Sequence, residues 1–158
     1  MLDESYKNID EPYNEIVKYL YVGGVGALKT GDEFSMIVNC TRNSNISFPD
    51  YCKNCVRIPI DDSPNDCEKL LILMKDTEVL RKIHNSIINK ETVLVHCFAG
   101  MQRSCALVAC YLIQYYNITP EKAIEYIKSK RKIAFFGEVN FLKAIQQIYF
   151  EITQKSYE

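Results

Sequence analysis

One stretch narrows the folding options of this chain more than any other. Thr92-Val-Leu-Val95 is a short, continuously apolar run, and residues 104–116 are apolar nearly all round (Ala106, Leu107, Val108, Ala109, Leu112, Ile113). A strand apolar on both faces belongs at the centre of a parallel sheet. A helix with no polar stripe is buried rather than laid on a surface. The two are joined by a short loop, so strand and helix must pack against each other. That requirement selects an α/β architecture with a mainly parallel central sheet flanked by helices.

The rest of the chain reads consistently with this. Glu15 to Val22 is rich in β-formers and closes on Gly23-Gly24, which predicts a strand region ending in a turn. Met36-Ile-Val-Asn39 reads as a buried strand. Val56-Arg-Ile-Pro-Ile60 reads as another, with Pro59 placing it at an edge or ending it early. Asp61-Asp-Ser-Pro-Asn65 has the composition of a turn. Leu70, Leu73, Leu80, Ile83 and Ile87 recur at helical spacing and predict one helical face. Thr119-Pro120 supplies an N-cap and a first-turn proline for a helix carrying Ala123, Ile124 and Ile127 inward. Gly137 breaks the chain before a last amphipathic helix with Phe141, Ile145, Ile148 and Ile152. No linker or repeat interrupts residues 1–158, so one domain is expected, with residues 1–13 as a loose N-terminal arm.

Composition matters for what it excludes. With 19 basic and 20 acidic residues the net charge is -1, which argues against a nucleic-acid partner. No apolar run approaches the roughly 20 residues that span a bilayer, so no membrane partner is expected. Seven cysteines, an odd number and mostly in apolar segments, are expected as free thiols in a reducing compartment, cytoplasmic or nuclear. Cys52-x-x-Cys55 lacks a second close pair, so a zinc site is not expected there. Gly23-Gly-Val-Gly26 lacks the full dinucleotide fingerprint and reads as a turn.

The chemistry lies in the loop between the buried strand and the buried helix, His96-Cys-Phe-Ala-Gly-Met-Gln-Arg-Ser104. A tight strand-to-helix loop gathers backbone N–H groups at one point, and the helix N-terminus adds its positive dipole end there. Gly100 relieves the bend. Arg103 offers a planar fork that grips two oxygens of a phosphate. Cys97 sits at the floor of this anion site, where such surroundings favour the thiolate, the nucleophilic form. The same donors would stabilise the charge of a phosphoryl group in transfer. His96 precedes Cys97 on the strand and points the other way. It is therefore expected to fix the loop rather than serve as a base, and the other histidine, His84, falls in a predicted helix.

Cys97-x5-Arg103-Ser104, preceded by His96, resembles the active-site motif of cysteine-dependent protein tyrosine phosphatases. The full His-Cys-x-Ala-Gly-x-x-Arg-Ser form is similar to that of the dual-specificity branch. The resemblance covers roughly residues 14–153 and extends to small catalytic-domain-only members, including those of large DNA viruses. It implies a phosphatase that needs no metal and no cofactor, acts on phosphorylated proteins or peptides, and passes through a phosphocysteine. It implies Cys97 as nucleophile, Arg103 as oxyanion holder and Ser104 as the donor that eases release of the thiolate. Phe98, Ala99, Gly100, Met101 and Gln102 would line the substrate site. Asn39, at the end of the second strand, would support the phosphate loop. Asp62 matches the family's general acid by its register after Ile58-Pro-Ile60, with Asp61 as the alternative. Arg131 matches a rim position where a basic residue engages a second phosphate.

The resemblance leaves two other readings open. One is a phosphatase of RNA 5′ ends or phosphoinositides. Lipid-directed relatives tend to carry lysines inside the loop, where this chain has Phe98, Ala99, Met101 and Gln102. RNA-directed relatives tend to carry threonine where it has Ser104. The other is a phosphate-binding module without turnover, against which the intact Cys97, Arg103 and Asp62 speak. The chain departs from the family pattern near residues 131–137, where a proline often found in the family is missing.

Overall fold

The computed structural model describes residues 11–155. The chain begins with a hairpin of β1 (Tyr13–Val17) and β2 (Leu20–Gly23), followed by a 3₁₀ turn at Val25–Lys29. Next come β3 (Met36–Asn39), β4 (Asn54–Arg57), α1 (Cys67–Thr77), α2 (Val79–Ile88) and β5 (Val93–His96). Three helices complete it: α3 (Arg103–Tyr116), α4 (Pro120–Lys130) and α5 (Leu142–Lys155). The sheet order is β1-β2-β5-β3-β4. Among the described residues only the β1–β2 pairing is antiparallel; β2, β5, β3 and β4 run parallel.

β5 is central and buried at all four positions, as its uninterrupted apolar run requires. Its alternation divides the interior. Val93 and Val95 join a large core with Met36, Val38 and residues from all five helices. Leu94 and Ile37 face the other side, where Ala27 and Phe34 cover them. Tyr13, Tyr21 and Phe34 meet edge to face there. Helix α3 is buried from Ser104 to Ile113. Each fully buried Val, Leu or Ile contributes about 1.5–3 kcal/mol, so this helix anchors whatever its first turn presents.

The predicted elements need three corrections. Glu15–Val22 is not one strand: the chain reverses at Lys18-Tyr19, with Tyr19 at φ 75°. The 67–88 helical pattern is interrupted at Glu78, also left-handed at φ 54°, which separates α1 from α2. The fourth strand lies at Asn54–Arg57, short of Pro59, which has no N–H to extend the ladder. Its edge position is as expected. The cap of α4 is also as expected, with the Thr119 hydroxyl accepting from the Lys122 N–H. Most of the anticipated N-terminal arm, residues 1–13, lies outside the described residues; Tyr13 already belongs to β1.

The register sets the position of everything that follows. Gly23 and Asn39 both pair with His96, and Asn39 pairs with Arg57. The four parallel strands therefore end level, and their C-terminal loops open on one edge. That edge is where open α/β sheets hold ligands.

Candidate active site

The loop leaving β5 turns all its carbonyls away from one centre. The Cys97 oxygen accepts from His96 Nδ1. Val25 N–H donates to Phe98 O at 2.9 Å, and Phe135 N–H to Met101 O at 2.8 Å. Arg131 donates to Gly100 O at 2.8 Å and to Ala99 O at 3.4 Å. Ala106 N–H donates to Gln102 O as α3 begins. In a planar trans peptide the next N–H points opposite its carbonyl. The amides from Phe98 to Arg103 are thereby aimed at the centre, where α3 also presents the positive end of its dipole.

Cys97 is 2% exposed and lies at the bottom of this cradle. Its Sγ accepts from the Gly100 N–H at 3.2 Å and lies 3.2 Å from the Ser104 hydroxyl. That hydroxyl has one proton and a second acceptor, Gly23 O, at 3.3 Å. Gly100 adopts φ 72°, and a Cβ there would stand 2.6 Å from the Arg131 guanidinium and from the Gly23 carbonyl carbon. A Cβ on Gly24 would meet Phe98 O at 2.7 Å. The pair Gly23-Gly24, read from sequence as a turn, is thus also the floor that lets the loop lie against the end of β2.

Arg103 stands in the first turn of α3. One terminal nitrogen donates to Ile60 O at 3.2 Å, which ties the loop to the segment after β4. Its Nε is shielded from solvent and has no hydrogen-bond partner among the described residues. A guanidinium edge left unfilled beside a ring of inward N–H groups fits an oxyanion.

Arg131 differs from its expected role at the rim. It is 1% exposed and packs beneath the loop, bonded to Gly100 O, Ala99 O, Glu11 O and Asn14 Oδ1. Burial lowers its pKa, while Cys105, Cys97 and Glu11 act in the opposite sense. It is a buried strut with its charge behind the cradle, and a second phosphate cannot reach it.

Asn39 also departs from expectation. Its amide donates to Ile46 O, and its Oδ1 accepts from the Thr41 N–H and hydroxyl, so it organises residues 41–46 rather than the phosphate loop. Gln102 is buried, and its side chain turns away from the substrate side toward residues 136–140. Phe98 is exposed at 61%, Ala99 is exposed and Met101 half-buried.

His96 is buried; burial lowers its pKa, the bond to Cys97 O pulls the other way, and Arg57 reinforces the lowering. It stays neutral with its Nδ1 proton on the Cys97 carbonyl. Asp62 and Asp61 separate by partner. Asp62 is exposed and accepts from Asn140 Nδ2 at 2.8 Å. Asp61 is paired with Arg42 at 2.9 Å. The Arg103–Ile60 bond brings their common segment to the cradle. Asn140 was not singled out from the sequence, since it follows the 131–137 stretch that departs from the family pattern and no local motif marks it.

All seven cysteines are free. Burial raises the thiol pKa values of Cys40, Cys105 and Cys110. Cys52 is pushed up to about 11 by burial and by its neighbour Cys55. No helix among the described residues is long and apolar enough to cross a membrane.

Comparison with known proteins agrees with this geometry. The family model described as the dual specificity phosphatase catalytic domain matches residues 20–150. A protein of Invertebrate iridescent virus 6 named as a tyrosine phosphatase, 123R, is 35% identical over 135 residues, 84% of this chain and 89% of the viral one. A phosphatidylglycerophosphate phosphatase of Arabidopsis thaliana, PTPMT1, is 39% identical over 67 residues, 42% of this chain and 20% of that protein. The crystal structure of human DUSP28 superposes with a TM-score of 0.77 at 21% identity, covering 90% of this chain and 96% of the other. The family match spans the four parallel strands and the Cys97–Arg103 loop, and the chain belongs to the cysteine-dependent dual-specificity phosphatase family.

Proposed function

We propose that this enzyme removes phosphate from phosphotyrosine and, less readily, from phosphoserine and phosphothreonine, through a phosphocysteine on Cys97. The observation that carries this reading is the shielded, unbonded Nε of Arg103 beside a loop whose carbonyls all face away. A phosphoryl group seated there would accept from the loop amides and from two nitrogens of Arg103, with Cys97 Sγ beneath the phosphorus. The thiolate forms an S–P bond as the P–O bond to the substrate breaks. Asp62 gives its proton to the departing oxygen. Water then attacks the phosphocysteine, Asp62 takes a proton from it, and the thiolate leaves with Ser104 donating to its sulfur. Catalysis here is positioning and charge stabilisation more than covalent effort. The intact nucleophile, arginine and acid weigh against a binding module without turnover.

The pocket wall supports the substrate order. It is built from short segments, with Phe98 61% and Phe136 74% exposed near the cradle. Such a wall lets a phosphoserine reach the thiol, and the aromatic side chains favour a phenyl ring. Peptides matched in sequence and carrying phosphotyrosine, phosphothreonine or phosphoserine test this by kcat/KM. Preference for phosphotyrosine with measurable turnover of the others is expected; strict phosphotyrosine selectivity would overturn it. The partial match to a plant phosphatidylglycerophosphate phosphatase supports a lipid-phosphate substrate as the second reading. Faster turnover of a phosphoinositide or an RNA 5′-triphosphate than of any phosphopeptide would decide against a protein substrate. The reducing compartment expected from the cysteines suits a free catalytic thiol.

A further inference from the structure

We propose that Asn140 is a positioning residue for the general acid, held in place by Gln102 of the phosphate loop. This rests on the assignment of Asp62 as the acid. Gln102 is 6% exposed, and both its amide N–H groups and its carbonyl oxygen are engaged. Nε2 donates to Glu138 O at 2.7 Å and to Phe136 O at 3.2 Å. Oε1 accepts from the Asn140 N–H at 3.1 Å. Two carbonyls on one side and an N–H on the other fix the amide in a single orientation. The Asn140 carbonyl accepts from the Cys67 thiol at 3.7 Å, at the start of α1. Asn140 is therefore pinned through its backbone to the phosphate loop on one side and to the helix following the acid loop on the other.

Its side chain is directed at Asp62, donating to Oδ1 at 2.8 Å. A protonated carboxyl has one O–H and one carbonyl-type oxygen. With Oδ1 occupied by the Asn140 N–H, the proton belongs on Oδ2, which is left to serve the leaving oxygen. After transfer, Oδ2 is again the free oxygen that takes the proton from attacking water. The chain Gln102–Asn140–Asp62 thus couples the loop that binds phosphate to the group that protonates its ester oxygen. An exposed acid loop gains through it a fixed relation to the buried nucleophile.

A structural role alone would slow every substrate alike, whereas positioning of the acid matters most where the leaving group needs the proton. The test compares phenyl phosphate with p-nitrophenyl phosphate, and vanadate inhibition reports the cradle itself. Asn140→Ala should lose about 10- to 100-fold in kcat on phenyl phosphate but less than about threefold on p-nitrophenyl phosphate. Vanadate affinity should hold. Asn140→Asp keeps the size and backbone contacts while putting an acceptor against Asp62, so it should show the same selective loss even if the alanine variant folds poorly. Gln102→Ala should reproduce the pattern in weaker form. Equal losses on both substrates, or no loss on either, would overturn the proposal. Asp62→Asn is the control: if it lacks the selective loss, the acid itself is misassigned, and that failure is distinct from a null result at Asn140 alone.

Discussion

The phosphate loop and the acid loop meet at the same site and are built in opposite ways. The loop from Cys97 to Ser104 is held from below and behind: each carbonyl from Cys97 to Gln102 accepts a hydrogen bond, and Arg131 alone donates two of them. Cys97, Gly100, Gln102 and Ser104 are buried. The segment Asp61–Asn65 is largely exposed; Arg42 and Asp66 hold Asp61, Asn140 holds Asp62, and Arg103 ties the preceding Ile60 O. Chemistry explains the contrast. Charge in the transition state must be met by donors already aimed, because reorienting them during reaction would cost the energy they are meant to supply. A proton donor must instead approach leaving groups of different shape, which a looser segment allows.

The comparison breaks hardest at the nucleophile. Cys97→Ser should reduce turnover by on the order of 10⁶-fold while phosphate and vanadate still bind, because the amides and Arg103 remain. Steady-state rates and a binding titration check both halves. Chelators should leave native activity unchanged; a requirement for a divalent metal would contradict the mechanism.

The acid loop should break differently. Asp62→Asn should cost about 10²–10⁴-fold on phosphopeptides and much less on substrates with good leaving groups, without weakening vanadate. If Asp61→Asn shows these losses instead, the acid is the aspartate paired with Arg42.

The support beneath the cradle should show in stability. Arg131→Ala strands the buried Gly100 O and three partly buried acceptors, and should lower stability by about 2–3 kcal/mol, with Arg131→Lys recovering little because an ammonium cannot span them. Denaturant unfolding measures it. Phosphate affinity should fall with it, whereas an Arg131 serving only a second phosphate would leave singly phosphorylated substrates unaffected.

How much of this could be read from the sequence follows the same divide. The motif from His96 to Ser104, the buried strand before it and the buried helix after it are local, and their meaning is visible in their spacing. What escaped depends on contacts between distant residues. Arg131 looks like part of a solvated basic helix end, yet its partners lie at Gly100 and Asn14. Asn140 and Asp62 are far apart in the chain. The β1–β2 reversal and the α1–α2 break were missed because Tyr19 and Glu78 take left-handed conformations without the glycine or asparagine that usually marks them.

A smaller effect belongs to His96. Its folded pKa is lowered by burial, so as pH falls through about 6.5 the unfolded chain binds a proton that the folded chain refuses. Stability should therefore decline below that pH, and His96→Gln should flatten that part of the profile. A native protein whose stability rises as the solution is acidified through this range would contradict the neutral, carbonyl-bound histidine.

The central claim is that the cradle exists to place a phosphoryl group on Cys97. Denaturing acid quench during turnover of a phosphotyrosine peptide, followed by mass spectrometry of the protein, tests it most directly. The account predicts one added phosphoryl group on the peptide containing Cys97, lost in Cys97→Ser and accumulating when release is slowed in Asp62→Asn with a good leaving group. Product formation with no phosphoryl group on Cys97 at any time, or with the group on another residue, would contradict it.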